Sequence, residues 1–158
     1  TQRLTPDVLK RLKGEQRKFN YVKSPEYSDF ELMLNQFAKQ DSDVLFIIPP
    51  VNAKWMKYTG LSQDMLDKTV TKIKTQLISQ GFGNIADLSQ NGNKKYYMED
   101  TIHLGWRGWI DVDKAVSKFM KTKQTRKHYV MSNYFYNQQW QERSQFKTGK
   151  MIPDLKVK

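Results

Sequence analysis

Residues 43–51 read Asp-Val-Leu-Phe-Ile-Ile-Pro-Pro-Val, and no other stretch constrains the fold so strongly. Five successive apolar residues, Val44 to Ile48, have no polar alternation, so both faces of this segment must be covered. The pair Pro49-Pro50 then ends any ladder or helix, because proline offers no N–H and fixes its φ. The pattern predicts a strand of a parallel sheet followed by a loop over Val51, Asn52, Ala53, Lys54 and Trp55. In open α/β sheets, ligands bind at this carboxyl end of the strands.

The surrounding segments agree with an α/β reading. Ser62 is placed to cap a helix carrying Leu66, Val70, Ile73, Leu77 and Ile78 at helical spacing, with Gly81 as its left-handed terminator. Residues 84–88 (Asn-Ile-Ala-Asp-Leu) form a second short strand, completing a βαβ unit whose crossover should be right-handed. Upstream, Ser28 and Glu31 have capping-box spacing ahead of Phe30, Met33, Leu34 and Phe37, which predicts a helix over about 29–40. Thr5-Pro6-Asp7 starts a thinner helix, with a loop around Ser24-Pro25. Ser89 to Lys95 is a polar turn cluster. Asp111 is placed to cap a last helix carrying Ala115, Val116, Phe119 and Met120. The expected division is a peripheral basic segment 1–27, an α/β part 28–122, and a basic-aromatic extension 123–158 that includes Tyr129, Tyr134, Phe135, Tyr136, Trp140 and Phe146.

Composition narrows the function. The chain has 158 residues, no cysteine and a formal net charge of +11. Disulfides, thiolate chemistry and zinc knuckles are thereby excluded. No apolar run is long enough to span a bilayer, and Thr1 in place of Met suggests a piece of something longer. The positive charge comes from 21 lysines and only six arginines, scattered without a block of like charge. Lysine is a solvated point charge, and arginine is the better reader of phosphates and bases. A solvated lysine-rich surface, an anionic membrane surface and a polyanion therefore compete. Nucleic acid is the least favoured, for want of arginine and of any binding motif.

Two histidines can be weighed singly. His128 lies among cations in Thr-Arg-Lys-His-Tyr-Val, with no carboxylate near it in sequence, and reads as a surface residue. His103 lies in the run Glu99-Asp100-Thr101-Ile102-His103-Leu104-Gly105-Trp106-Arg107-Gly108-Trp109. An aspartate three residues before a histidine, in a loop between strand and helix, can accept the Nδ1 proton. Nε2 is then free as a general base, which is the base-and-orienter half of a nucleophilic triad. A structural histidine at a helix entrance has the same spacing. Gly105 and Gly108 permit tight or left-handed turns. Trp106 and Trp109 would wall a pocket or pack in the core, and Arg107 would hold an anionic group or stay solvated.

The block Met98-Glu99-Asp100-Thr101-Ile102-His103-Leu104-Gly105-Trp106-Arg107-Gly108-Trp109-Ile110-Asp111-Val112-Asp113, with the upstream Phe-Ile-Ile-Pro-Pro-Val-Asn-Ala-Lys-Trp, resembles the carboxyl-terminal part of the DltD family of D-alanyl-lipoteichoic acid biosynthesis proteins. The resemblance covers roughly residues 28–140. It implies an α/β fold with a three-layer parallel sheet, of the SGNH/GDSL-hydrolase or flavodoxin-like kind. It also implies Asp100 as orienter, His103 as general base, and the loop at Asn52 bordering the site; Trp106 and Arg107 are candidates from their position in the block alone. No metal or cofactor is implied. The implied partners are lipoteichoic acid, a D-alanyl ester or thioester carrier, membrane proteins of the D-alanylation machinery and the anionic membrane surface, at the extracellular face of the membrane. The nucleophilic serine of such enzymes sits in a Gly-(Asp/Ser)-Ser-like turn after the first strand. No serine here directly follows a glycine, and Ser62, behind Gly60-Leu61, is placed as a helix cap and not in a turn after a first strand, so the chain is expected to lack the nucleophile and to be inactive alone.

Overall fold

The computed structural model describes residues 5–24, 26–122 and 127–130. Its elements, in order, are α1 (Pro6–Leu12), α2 (Glu26–Lys39), β1 (Phe46–Ile48), α3 (Ala53–Thr59), α4 (Gln63–Ser79), β2 (Ile85–Asp87) and α5 (Trp106–Lys121). Short 3-10 turns at Glu15–Lys18 and Tyr21–Lys23 join α1 to α2, and a third follows β2 at Ser89–Asn91. The class is mixed α/β. The sheet has two parallel strands, with Phe46 opposite Ile85, Ile47 opposite Ala86 and Ile48 opposite Asp87.

The unbroken apolar run of the first strand is explained by what covers it. Phe46 faces a cluster built on Leu34, Leu77 and Phe82, with Phe30 and Phe37 around it. Its ring meets those of Phe30, Phe37 and Phe82 edge-on at centroid distances of 5.5–6.5 Å. Ile48 joins Met56, Leu66 and Val70. Ile47, pointing the other way, packs against the cluster of Tyr97, Leu104 and Val112 contributed by the last loop and α5. Alternate residues thus enter different clusters, and neither set can be polar.

Helix boundaries follow local chemistry, and several differ from expectation. Thr5 caps α1 and Ser62 caps α4, their hydroxyls accepting the Val8 and Met65 N–H groups. Gly81 follows α4 at φ +89°, as its position requires. The second helix, however, starts at Glu26, whose N–H is accepted by Ser24 Oγ. Ser28 and Glu31 are therefore interior and buried, not a capping box. Glu31 accepts from Gln76 Nε2 of α4 instead.

The expected loop 51–55 is also corrected. Asn52 Oδ1 accepts the N–H groups of Lys54 and Trp55, so Ala53 already begins a helix and only Val51 and Asn52 remain outside it. Likewise α5 starts at Trp106 after Gly105, leaving Asp111 one turn inside. There Asp111 accepts from the Tyr97 hydroxyl and Lys114. Gly105 and Gly108 are needed for close approach, not for a left-handed turn. A Cβ on Gly105 would come within 2.4 Å of the Tyr96 carbonyl oxygen, and one on Gly108 within 2.8 Å of that of Tyr97.

Segment 5–24 lies on the outside, with no buried residue in α1 or its two 3-10 turns. It is tied down by polar contacts: Tyr58 hydroxyl to the Leu9 carbonyl, and Lys72 Nζ to the Val22 carbonyl. At the other end, Tyr129 N–H donates to the Gln80 carbonyl. The remaining aromatics expected in the extension, at 134, 135, 136, 140 and 146, lie outside the described residues. Among the described residues, no helix is long and apolar enough to cross a membrane.

Candidate active site

The Asp100–His103 loop sits between β2 and α5 and is closed by the backbone. Met98 and Leu104 form an antiparallel bridge, and Glu99 N–H donates to the His103 carbonyl at 2.9 Å. Below it, the Tyr97 hydroxyl accepts from Asn91 Nδ2 and donates to Asp111 Oδ2, which pins the loop to α5.

Within the loop, each oxygen of Asp100 has its own task. Oδ1 accepts the backbone N–H groups of Ile102 and His103, at 2.9 and 2.8 Å. Oδ2 lies 2.6 Å from His103 Nδ1. The imidazole hydrogen bond, followed by the two backbone donors, holds the Asp100 carboxyl far below the usual carboxylate range. An ionised carboxylate only accepts, so His103 Nδ1 is the donor, and in the neutral imidazole this arrangement puts the lone pair on Nε2. Both side chains are exposed, at 68% for His103 and 50% for Asp100. The dyad is thus formed, oriented and open to a reactant from outside.

Asn52 reaches the same loop. While its Oδ1 caps α3, its Nδ2 donates to the Asp100 carbonyl oxygen at 2.8 Å. One amide therefore couples the end of β1 to the dyad loop across 48 positions of sequence. A groove of about 310 Å3 runs along this contact, lined by Leu9, Asn52, Lys54, Trp55, Tyr58 and Thr101. Trp55 and Tyr58 stack at 5.6 Å in its wall. Sequence reasoning placed Trp55 in the ligand-side loop but missed Tyr58 and Thr101, because an expected loop at 51–55 gave no helical spacing to bring Tyr58 beside Trp55.

Trp106 and Arg107 take different partners. The Trp106 ring stacks on Tyr96 at 6.0 Å, and the Arg107 guanidinium lies 5.8 Å from the Trp106 ring. Arg107 also donates to the Lys95 carbonyl. Both side chains thus serve the turn before the dyad loop. Trp106 and Trp109 are each 60% exposed and are not core residues. Tyr96 holds a left-handed φ of +61° at this turn, a conformation costly for a bulky residue.

The expectation for His128 is corrected as well. The side chain is buried, not on the surface, stacking on Phe82 at 4.4 Å with its Nδ1 3.2 Å from Asp41 Oδ1. The carboxylate absent from its neighbourhood in sequence comes from 87 residues away.

The family model "DltD protein" matches residues 1–121 of this chain. The chain belongs to the DltD family. Protein DltD of Lacticaseibacillus rhamnosus is 53% identical over 137 residues, covering 86% of this chain and 32% of that protein. Protein DltD of Bacillus subtilis (strain 168) is 41% identical over 121 residues, 77% of this chain and 30% of that protein. Protein DltD of Staphylococcus aureus (strain NCTC 8325 / PS 47) is 31% identical over 100 residues, 63% of this chain and 25% of that protein. The chain therefore spans about a third or less of the length of these DltD relatives.

Proposed function

We propose that this chain supplies the histidine and aspartate of a Ser-His-Asp triad to a protein that handles D-alanyl esters during D-alanylation of lipoteichoic acid. The observation that carries the reading is the 2.6 Å contact between Asp100 Oδ2 and His103 Nδ1, with Asp100 Oδ1 fully engaged by backbone N–H groups. Membership of the DltD family supports the pathway.

In this scheme a serine outside the chain attacks the carbonyl carbon of a D-alanyl ester or thioester. His103 Nε2 takes the serine proton as the bond forms, and Asp100 stabilises the resulting imidazolium without itself becoming protonated. The imidazolium returns that proton to the leaving carrier. In the second half His103 deprotonates a polymer hydroxyl, or water, that attacks the acyl-serine carbonyl; the bond to the serine oxygen breaks and the imidazolium returns the proton to it. Transfer and hydrolysis differ only in that last nucleophile. Asn52 is a positioning residue, because it holds the dyad loop through the Asp100 carbonyl.

The two-stranded parallel sheet, with different clusters on its two sides, suits one margin of a larger three-layer SGNH-like sheet. The +11 charge suits work at the outer face of an anionic membrane beside membrane-embedded partners. The test is to replace His103 or Asp100 by Ala in the whole protein and follow turnover of a D-alanyl ester or thioester. A loss of roughly 10³-fold or more, with melting unchanged, is expected. Undiminished turnover in both variants would overturn the assignment.

A further inference from the structure

Beside the groove that leads to the dyad lies a wider depression of about 550 Å3, lined by Lys13, Gly14, Arg17, Lys54, Lys57 and Tyr58. Four of these are cations and none is acidic. Among the described residues, none of the four forms an ion pair, whereas Lys68, Lys74 and Lys114 each hold an aspartate. The gathering is built, not incidental. Gly14 N–H donates to the Tyr58 carbonyl at 3.0 Å, and the Thr59 hydroxyl donates to Gln16 Oε1 at 2.9 Å. The stem of Arg17 lies so close to Gly60 that a Cβ there would come within 2.5 Å of its Cγ. These contacts bring two distant cationic segments together, and like charges repel unless an anion is bound between them.

The depression and the groove share Lys54 and Tyr58. The groove's other end is Asn52, which holds the Asp100 carbonyl, and Thr101, which follows Asp100 in the chain. One trough therefore runs from four cations, over the stacked Trp55–Tyr58 pair, to the dyad loop.

We propose that Lys13, Arg17, Lys54 and Lys57 form a phosphodiester-binding subsite, which seats the backbone of an anionic polyol-phosphate polymer and delivers a neighbouring hydroxyl along the groove to His103. The identity of the polymer as the acyl acceptor rests on the function proposed above; the anion site itself does not. Cations spaced along a trough favour a repeating chain of phosphates over a single ion, because each added contact releases a counterion.

The test measures binding of deacylated lipoteichoic acid to the whole protein at several salt concentrations. It compares wild type with Lys54→Gln/Lys57→Gln, Lys13→Gln/Arg17→Gln and His103→Ala, each checked for unchanged melting. Both double variants should bind about tenfold or more weakly, with a shallower salt dependence, and His103→Ala should bind as wild type. Wild-type affinity in both double variants overturns the subsite. So does tight binding to phosphatidylglycerol vesicles with none to the soluble polymer, since the cations would then read a lipid surface. If the double variants lose the polymer while His103→Ala keeps full turnover, the catalytic reading fails and the anion site stands.

Discussion

The chain contains two histidine–aspartate pairs that have the same chemistry and opposite surroundings. His103 and Asp100 are three residues apart in one closed loop, with both side chains largely exposed and 2.6 Å between Nδ1 and Oδ2. His128 and Asp41 are 87 residues apart, with 3.2 Å between Nδ1 and Oδ1, the His128 side chain 2% exposed and Asp41 83% exposed. In the first pair the imidazole is oriented and its outer nitrogen is open to a reactant. In the second the ring is spent on packing against Phe82, and the carboxylate at the surface serves as its polar anchor. A hydrogen-bonded imidazole is therefore not enough to mark a site. What separates the two is whether the second nitrogen faces a place where a reactant can sit.

The sharpest way to break this comparison is catalytic. In the whole protein, His103→Ala should lower D-alanyl ester turnover roughly 10³-fold or more, while His128→Ala should leave it within about twofold at a temperature where the variant is folded. Steady-state kinetics on the two purified variants decides it, and equal losses would erase the distinction. Next comes stability, where the ranking reverses. His128→Ala removes a buried ring from Phe82 and should cost about 2–3 kcal/mol in urea unfolding. His103→Ala, on an exposed loop, should stay within about 0.5 kcal/mol of wild type.

A smaller effect is expected from Asn52→Ala, which loses both a helix cap and the tie to the Asp100 carbonyl. Turnover should fall about tenfold and stability by about 1 kcal/mol. Asn52→Asp keeps the cap but cannot donate, so it should recover the stability and not the rate. Recovery of both would show that Asn52 acts only through α3.

The smallest effects are in pH dependence and have opposite signs in two carboxyls. Asp100 is held below its usual pKa by His103 and the backbone donors. Its contribution to stability is therefore present above about pH 4 and is lost as the pH falls toward its depressed folded-state value. Asp100→Asn should flatten the acid limb of a melting-temperature profile below about pH 4. Glu31 is the reverse case: burial raises its pKa, and the Gln76 hydrogen bond only partly offsets that. Stability is therefore lost as the pH rises from about 4 through the raised value. Glu31→Gln should add about 1 kcal/mol at pH 7 and less below about pH 4, since an amide can donate to the unpartnered Gln76 Oε1. An unchanged melting temperature at pH 7 would show that burial of Glu31 carries no charge penalty.

Much of the framework was legible before any coordinates. The βαβ unit followed from an apolar run without alternation, a capped helix at 3–4 spacing and a second short strand. Errors gathered where a side chain had two competing roles. Ser28 and Glu31 have capping-box spacing, yet the helix gained a turn from Ser24 and left them facing α4. Asp111 resembles a cap, yet Gly105 lets the helix begin earlier, where a side chain would strike the Tyr96 carbonyl. The two tryptophans resemble core residues, yet Val112 and Gly108 occupy the buried face of α5.

By itself the sequence determined what short-range chemistry can decide: the strand before the proline pair, the caps at Thr5 and Ser62, and the Asp100–His103 pair. Every donor to the Asp100 carboxylate lies within residues 100–103, so the contact between the two side chains is built locally. Only the tertiary structure decided that Asn52 reaches the Asp100 carbonyl, that His128 is buried against Phe82, and that Lys13 and Arg17 meet Lys54 and Lys57. Each of those joins segments separated by dozens of residues. Such contacts are selected by packing of the whole unit, and no local propensity in either partner encodes them.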